Sequence, residues 1–248
     1  FAKIIKTLPV KIILGVNVAN QNESLPNKNL ITSNPVKPKD SSSLIILKRS
    51  KNEVQILMGK RGKKAVFSNA YVFAGGKVDP EDSLPKPATE LDSDIIKRIS
   101  SDPLKSKSFA MAAIREAYEE TGLLLGIPGD LGETGNSTWD EIRSRNLAPN
   151  LKKMHYVGHA ITPATKAVRF NARFFYTWED DMVGKLAGSG ELSDLSFLSL
   201  YDALSLPMVD VTEFMIGEMI KREKDNFSEP PTYPFFGYRK DRAYQSYK

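Results

Sequence analysis

The sequence predicts a mixed α/β or α+β layer fold, and three observations carry that expectation. Two short apolar runs, residues 44–48 and 54–58, flank a polar turn at Ser50–Asn52 and read as a hairpin. A helical segment with a clear stop follows at Phe109–Thr121. Strand-like runs then return at Lys153–Ile161 and Val168–Trp178. A chain that passes from strands to helices and back to strands stacks helices on a sheet.

Composition sets the outer bounds. Hydrophobic residues make up 41% of the 248 and charged residues 26%, an ordinary globular balance that fits one domain with arms or elaborations. There is no cysteine, which excludes disulfides, thiol catalysis and cysteine-zinc sites. Lys and Arg number 35 against 30 Asp and Glu, and the net charge of +5 favours an anionic partner. A phosphorylated metabolite, nucleic acid or a membrane surface each satisfies that charge, and so does solubility alone. No apolar run approaches the roughly 20 residues that span a bilayer.

Taken in order, Val10, Ile12, Leu14, Val16 and Val18 alternate as a strand does. Lys3, Lys6 and Lys11 precede the first acid, Glu23, which leans the compartment toward the mitochondrion over the cytoplasm, although arginine is missing there. The chain begins at Phe1 and reads as processed or trimmed; its last residues, Ser246-Tyr247-Lys248, are not the peroxisomal address. Asn20–Asp40 is a polar linker, so residues 1–42 form an arm, 43–225 the main domain and 226–248 a tail.

Within the domain, a third strand at Ala70–Phe73 runs into Gly75-Gly76. Residues 83–108, polar and with prolines at 80, 85, 87 and 103 in and beside them, read as a surface excursion holding one short helix near Leu91–Ile99. Gly122 stops the long helix, and a shorter one is expected at Thr138–Arg145. Residues 179–194 read as a loop, with closing helices at Leu200–Leu204 and Val211–Lys221. The tail carries seven aromatics, from Phe227 to Tyr247, and reads equally as a disordered end or a docking arm.

The chemistry concentrates in Arg115-Glu116-Ala117-Tyr118-Glu119-Glu120-Thr121-Gly122-Leu123. On a helix Glu116, Glu119 and Glu120 share one face, while Met111, Ile114, Ala117, Tyr118 and Thr121 fall opposite and pack. A solvated acidic face explains this too, but like charges at that spacing repel by roughly 0.2–0.5 kcal/mol per pair. They also crowd the helix end where the dipole disfavours anions. A hard cation such as Mg²⁺ removes both penalties. His155 and His159 have metal spacing only on a helix, and they lie in a strand pattern, so no histidine metal site is expected.

These residues, with Gly76 and the strand before it, resemble the Nudix box, G-x5-E-x7-R-E-U-x-E-E-x-G-U, where U is bulky and apolar. Gly76, Arg115, Glu116, Glu119, Glu120, Gly122 and Leu123 fit their places; Ala117 is small for the first U. Asp82 stands where the family has Glu, and 32 residues, 83 to 114, replace the seven of the pattern, an insertion of 25. The acyl-CoA diphosphatase branch carries such an interrupted box. Arg61-Gly62, Phe67, Val72-Phe73-Ala74-Gly75-Gly76, Thr162-Pro163, Arg169-Phe170 and Phe174-Phe175 resemble that branch's other features.

The resemblance, over roughly residues 43–222, implies an α/β/α sandwich with a mixed sheet. It implies Mg²⁺ or Mn²⁺ on Glu116, Glu119 and Glu120, with Arg115 orienting them and the Gly75-Gly76 backbone close to metal and phosphates. The implied reaction splits coenzyme A or an acyl-CoA into 3′,5′-ADP and a 4′-phosphopantetheine fragment. A general base is required, either a box glutamate or an acid among Glu179, Asp180, Asp181 and Glu191. The cluster Lys60-Arg61-Gly62-Lys63-Lys64, with Arg169, is a candidate grip on substrate phosphates, and also an ordinary basic turn. Two other readings stand beside this one. The first is a Nudix-fold structural or RNA-associated subunit of a larger, mitochondrial assembly, docked through the arm or the tail. The second is a nucleoside-diphosphate or RNA-cap hydrolase.

Overall fold

The run Leu44-Ile45-Ile46-Leu47 is buried along its whole length, as happens to a strand covered on both faces. The computed structural model describes residues 36–51, 53–62, 68–188, 190–239 and 242–248, all of one compact unit. The chain proceeds through β1 (Lys39–Arg49), β2 (Val54–Arg61), β3 (Tyr71–Val72), β4 (Ala74–Lys77), α1 (Ser93–Ile99) and α2 (Pro103–Thr121). Then come β5 (Leu123–Leu124), β6 (Gly126–Pro128), α3 (Ser137–Ser144), β7 (Leu147–Pro149), β8 (His155–Ile161) and β9 (Phe170–Trp178). The last elements are β10 (Val183–Gly184), β11 (Leu192–Ser199), α4 (Leu200–Ala203), α5 (Asp210–Lys224), β12 (Pro234–Arg239) and β13 (Arg242–Tyr247).

The main sheet has the order β11-β2-β1-β9-β8-β12-β13, with β3 beside β2 and β4 beside β1. β1 runs parallel to β9 and β12 parallel to β8, whereas β1 pairs antiparallel with both β2 and β4. The sheet is therefore mixed, as expected. Alternation along β1 divides the core in two. Leu44 and Ile46 pack toward α2 with Phe109, Met111 and Ile114, while Ile45 and Leu47 pack toward α5 with Met215, Ile216 and Met219. Helices thus cover both faces, and the α/β/α arrangement follows.

Three readings change. Gly75 and Gly76 lie inside β4, paired with Ser43 and Ser42 of β1, rather than beyond a strand end. Residues 192–199 form a strand, although 179–194 read as a loop; a register shift between Ser193 and Ser196, with Asp194 at φ 51°, breaks the alternation that would mark it. The aromatic tail forms an antiparallel hairpin, β12 and β13, that extends the sheet beyond β8. The strand expected at 10–18, most of the linker, Asn52, and residues 63–67 with Lys63, Lys64 and Phe67 lie outside the described residues.

The insertion also departs from a pure surface excursion. Leu91 and Ile99 are buried in the α2-side core, and Ser106 Oγ donates to the Ile96 carbonyl at 2.9 Å, fastening α1 to α2. α2 itself starts at Pro103, capped by Asp102, whose side chain accepts from Leu104 N. Arg173 of β9 donates through Nε to the Ile99 carbonyl at 3.0 Å. Two buried apolar anchors and these bonds make the segment a structural cover. Ile99→Ala is therefore expected to cost about 2–4 kcal/mol in urea unfolding; a loss below about 0.5 kcal/mol would mark the segment as dispensable.

Candidate active site

α2 places the acidic residues and Gly122 ends it, at φ 72° with its N–H donating to the Tyr118 carbonyl at 2.8 Å. The expected packing side is buried at Met111, Ile114, Ala117 and Thr121, with Tyr118 half-buried. Burial goes further than amphipathicity suggests, because Ala110, Ala112 and Ala113 are also fully enclosed between the sheet and the outer layer.

Arg115, 3% exposed, is the hub of the site. Its Nε and Nη2 donate to the two oxygens of Asp82 at 2.8 and 2.9 Å, a two-pronged pair. Nη1 donates to Glu116 Oε1 at 2.9 Å and to Glu119 Oε2 at 3.1 Å. Nη2 also reaches the Lys77 carbonyl at 2.9 Å. All five guanidinium N–H groups have an acceptor. Burial works against the arginine charge, but Asp82, Glu116 and Glu119 outweigh it and hold the Arg115 pKa above its ordinary value.

Asp82 fills the family's glutamate position with one methylene fewer. It is fully buried and also accepts from Trp139 Nε1 at 3.2 Å and from Asp79 N at 2.8 Å. The 3-10 turn Pro80–Ser83 carries it, and the shorter side chain still reaches Arg115 with both oxygens. Thr138 Oγ1 donates to Glu119 Oε1 at 2.6 Å. Thr138 and Trp139, adjacent on α3, were not among the residues read from sequence. Neither belongs to a motif, and their partners lie 19 and 57 residues away.

Glu116 lies against the backbone of β4. A Cβ added at Gly76 would come within 2.4 Å of the Glu116 carboxyl carbon, so only glycine permits this approach. Glu120, 5% exposed, accepts from Gly75 N at 2.8 Å. Burial pushes the Glu116 pKa up to about 7, with Arg115 opposing and Glu119 adding. Burial pushes Glu120 up to about 8, against the Gly75 hydrogen bond and with Glu116 adding repulsion.

Among the described residues no three such side chains converge as a ready ligand set. Arg115 and Thr138 occupy both oxygens of Glu119, and Arg115 holds one of Glu116. The donor chemistry nonetheless fits a hard divalent cation: carboxylate oxygens gathered on one helix face, with burial opposing the ionisation of Glu116 and Glu120 that a cation would favour.

These groups line one part of a cavity of about 1200 Å³. Gly75, Gly76, Arg61, Arg115, Glu116, Glu119, Glu120 and Glu191 border it, together with Phe73, Phe170, Phe174 and Phe236. Arg61 Nε is buried and has no hydrogen-bond partner among the described residues. Lys60 and Arg169 are not in the lining. Lys60 is next to Arg61 on β2, and neighbouring side chains point to opposite faces. Arg169 donates to the carbonyls of Thr162 and Val36 and ties strand ends together instead.

Of the four loop acids, Glu191 alone lines the cavity. Glu179, Asp180 and Asp181 pair with Lys48, Arg49 and Lys153. His159 bonds Asn171 at 2.6 Å, and burial pulls its pKa down to about 4. The insertion contributes no residue to the lining.

No family model matches the chain, and the comparison with curated proteins finds no match. Solved structures resemble it. A Nudix hydrolase from Alicyclobacillus acidocaldarius is 24% identical over 73% of this chain and 90% of that one, with a TM-score of 0.57. The mutator MutT protein from Bacillus halodurans is 15% identical over 84% of this chain and 97% of that one, with a TM-score of 0.45. The first of these likenesses establishes the architecture around the Arg115 hub: the chain is built on the Nudix fold.

Proposed function

We propose that this chain is a divalent-metal-dependent hydrolase of a diphosphate linkage. Its substrate is coenzyme A or an acyl-CoA, cut to 3′,5′-ADP and an (acyl-)4′-phosphopantetheine. The observation that carries the reading is Arg115, committed to Asp82, Glu116, Glu119 and the Lys77 carbonyl, beside the buried Glu120 on a large cavity. The Nudix fold supports it, and so does the fit of the box residues to that geometry.

Glu116, Glu119 and Glu120 would hold Mg²⁺ or Mn²⁺, which would supply charge stabilisation for the diphosphate and acidify water. Arg115 fixes the direction of Glu116 and Glu119, the supporting role that sets ligand geometry. Arg61 offers a phosphate oxygen its buried Nε–H, which has no hydrogen-bond partner among the described residues. In the metal-free protein burial holds the pKa values of Glu116 and Glu120 at about 7 and 8; a cation bound to them would favour their ionised forms, and Glu191 is the further acid at the cavity wall. The cavity joins this charged part to an apolar one, which suits a diphosphate bearing an extended arm.

The test is a turnover screen of acyl-CoAs, coenzyme A, NADH and capped RNA at equal concentration, with each metal and with chelator, and products weighed by mass spectrometry. Cleavage of CoA species to 3′,5′-ADP is expected. A dinucleotide cut at tenfold higher kcat/KM than any CoA species sinks the substrate assignment. No cleavage at all with either metal leaves the assembly-subunit reading in its place.

A further inference from the structure

The apolar end of the cavity is closed by the C-terminal hairpin. Phe236 of β12 stands in register with Ala160 of β8, Ala160 with Ala172 of β9, Ala172 with Ser41 of β1, and Ser41 with Lys77 of β4. All five line the cavity. Four inter-strand steps of about 4.8 Å make a floor roughly 19 Å long. It leads from the strand that abuts Glu116 and Glu120 to the Phe236 ring.

Small side chains along the middle leave the space open, and Phe236, itself 4% exposed and packed on Phe214 with ring centroids 5.0 Å apart, ends it firmly. Beyond it Tyr238, also in the lining, donates its hydroxyl to Asp210 at the start of α5. Asp210 lines the same end, between Val209 and Val211. An acidic side chain among apolar groups disfavours a second phosphate there, and its carboxylate and the tyrosine oxygen, whose hydrogen is already given to Asp210, are acceptors for amide N–H groups.

We propose that Phe236 and Tyr238 of the C-terminal hairpin are specificity-determining residues, forming a subsite for a neutral, flexible arm of amides and methylenes. The opposite half of the substrate, the phosphorylated nucleoside, lies outside this subsite. The inference rests on the diphosphate-hydrolase reading of the same cavity and adds to it the half of the substrate that the hairpin selects.

The experiment uses the full chain and three variants: Phe236→Ala, Tyr238→Phe and Ala172→Leu, the last filling the floor. Calorimetry in chelator measures binding of the two product halves separately, 4′-phosphopantetheine and 3′,5′-ADP. Turnover with Mn²⁺ is measured on coenzyme A and on ADP-ribose. Phosphopantetheine affinity is expected to weaken about tenfold in Phe236→Ala and Ala172→Leu and about threefold in Tyr238→Phe, with 3′,5′-ADP affinity within twofold. The ratio of kcat/KM for coenzyme A over ADP-ribose should fall by a similar factor through KM.

Equal weakening of both halves, or of neither, overturns the subsite even where coenzyme A is cleaved. Weakening confined to 3′,5′-ADP also overturns it, because the aromatic wall then stacks a base. If Phe236→Ala does not fold, Tyr238→Phe and Ala172→Leu decide. Absence of turnover on every diphosphate, by contrast, removes the hydrolase reading on which the subsite depends.

Discussion

Arg115→Ala is expected to destabilise the protein by about 3–5 kcal/mol, the usual cost of removing one partner from a buried ionic network. Asp82 is fully buried, and four hydrogen bonds satisfy it, two of them from Arg115. Truncation leaves that carboxylate with only Trp139 Nε1 and Asp79 N as donors. Among the described residues it also removes the one cation bonded to Glu116 and Glu119. For a chain of this length the midpoint of thermal unfolding should drop by about 10 °C. Arg115→Lys should recover little, because a single ammonium cannot serve Asp82 with two prongs while reaching Glu116, Glu119 and the Lys77 carbonyl. Thermal and urea unfolding of both variants without added metal would check this. A change under about 1 kcal/mol would mean that Asp82 and the glutamates find other partners, and the hub would lose its structural meaning.

What the sequence disclosed follows from the range of each interaction. α2 was legible because its signals are local: three glutamates on one helical face and a glycine that ends at φ 72°. Its true start was less so, since Asp102 and Pro103 sit inside a stretch whose prolines read as loop. β1 and β2 announced themselves through consecutive apolar residues, whereas β11 hid behind a bulge that shifts its register. Motif matching named Asp82 as a departure but not its function, because the Arg115–Asp82 pair spans 33 positions. Thr138, Trp139, Phe236 and Tyr238 reach the site through tertiary packing, with no spacing rule to flag them. Conversely Lys60 and Arg169 looked suitable by charge alone, and strand alternation and local carbonyls direct them elsewhere.

Glu120→Gln should abolish turnover while making the metal-free protein more stable at pH 8. Turnover is expected to fall by about 10²–10⁴, as when a group acting directly in chemistry is removed. The stability change has the opposite sign because burial raises the Glu120 pKa from 4.5 to about 8. A carboxyl raised in this way carries more protons folded than unfolded between those values. Its favourable contribution is complete below the unfolded pKa and fades as pH climbs through the folded one. The metal-free parent should therefore lose stability from about pH 5 to pH 8, with Glu116, raised to about 7, adding to the slope. Glutamine cannot ionise, and its amide oxygen is able to keep the bond from Gly75 N. The variant should match the parent near pH 5 and exceed it at pH 8 by about 4 kcal/mol, or about 8–16 °C in Tm. Adding Mg²⁺ or Mn²⁺ should raise the parent's Tm more than the variant's, since only the parent offers the full carboxylate set. Melting curves at both pH values, with and without metal, separate these effects. Turnover within about threefold of the parent would remove Glu120 from the chemistry. A variant less stable than the parent at pH 8 would show that the charged Glu120–Gly75 bond outweighs burial, and the electrostatic account of the acidic face would fail with it.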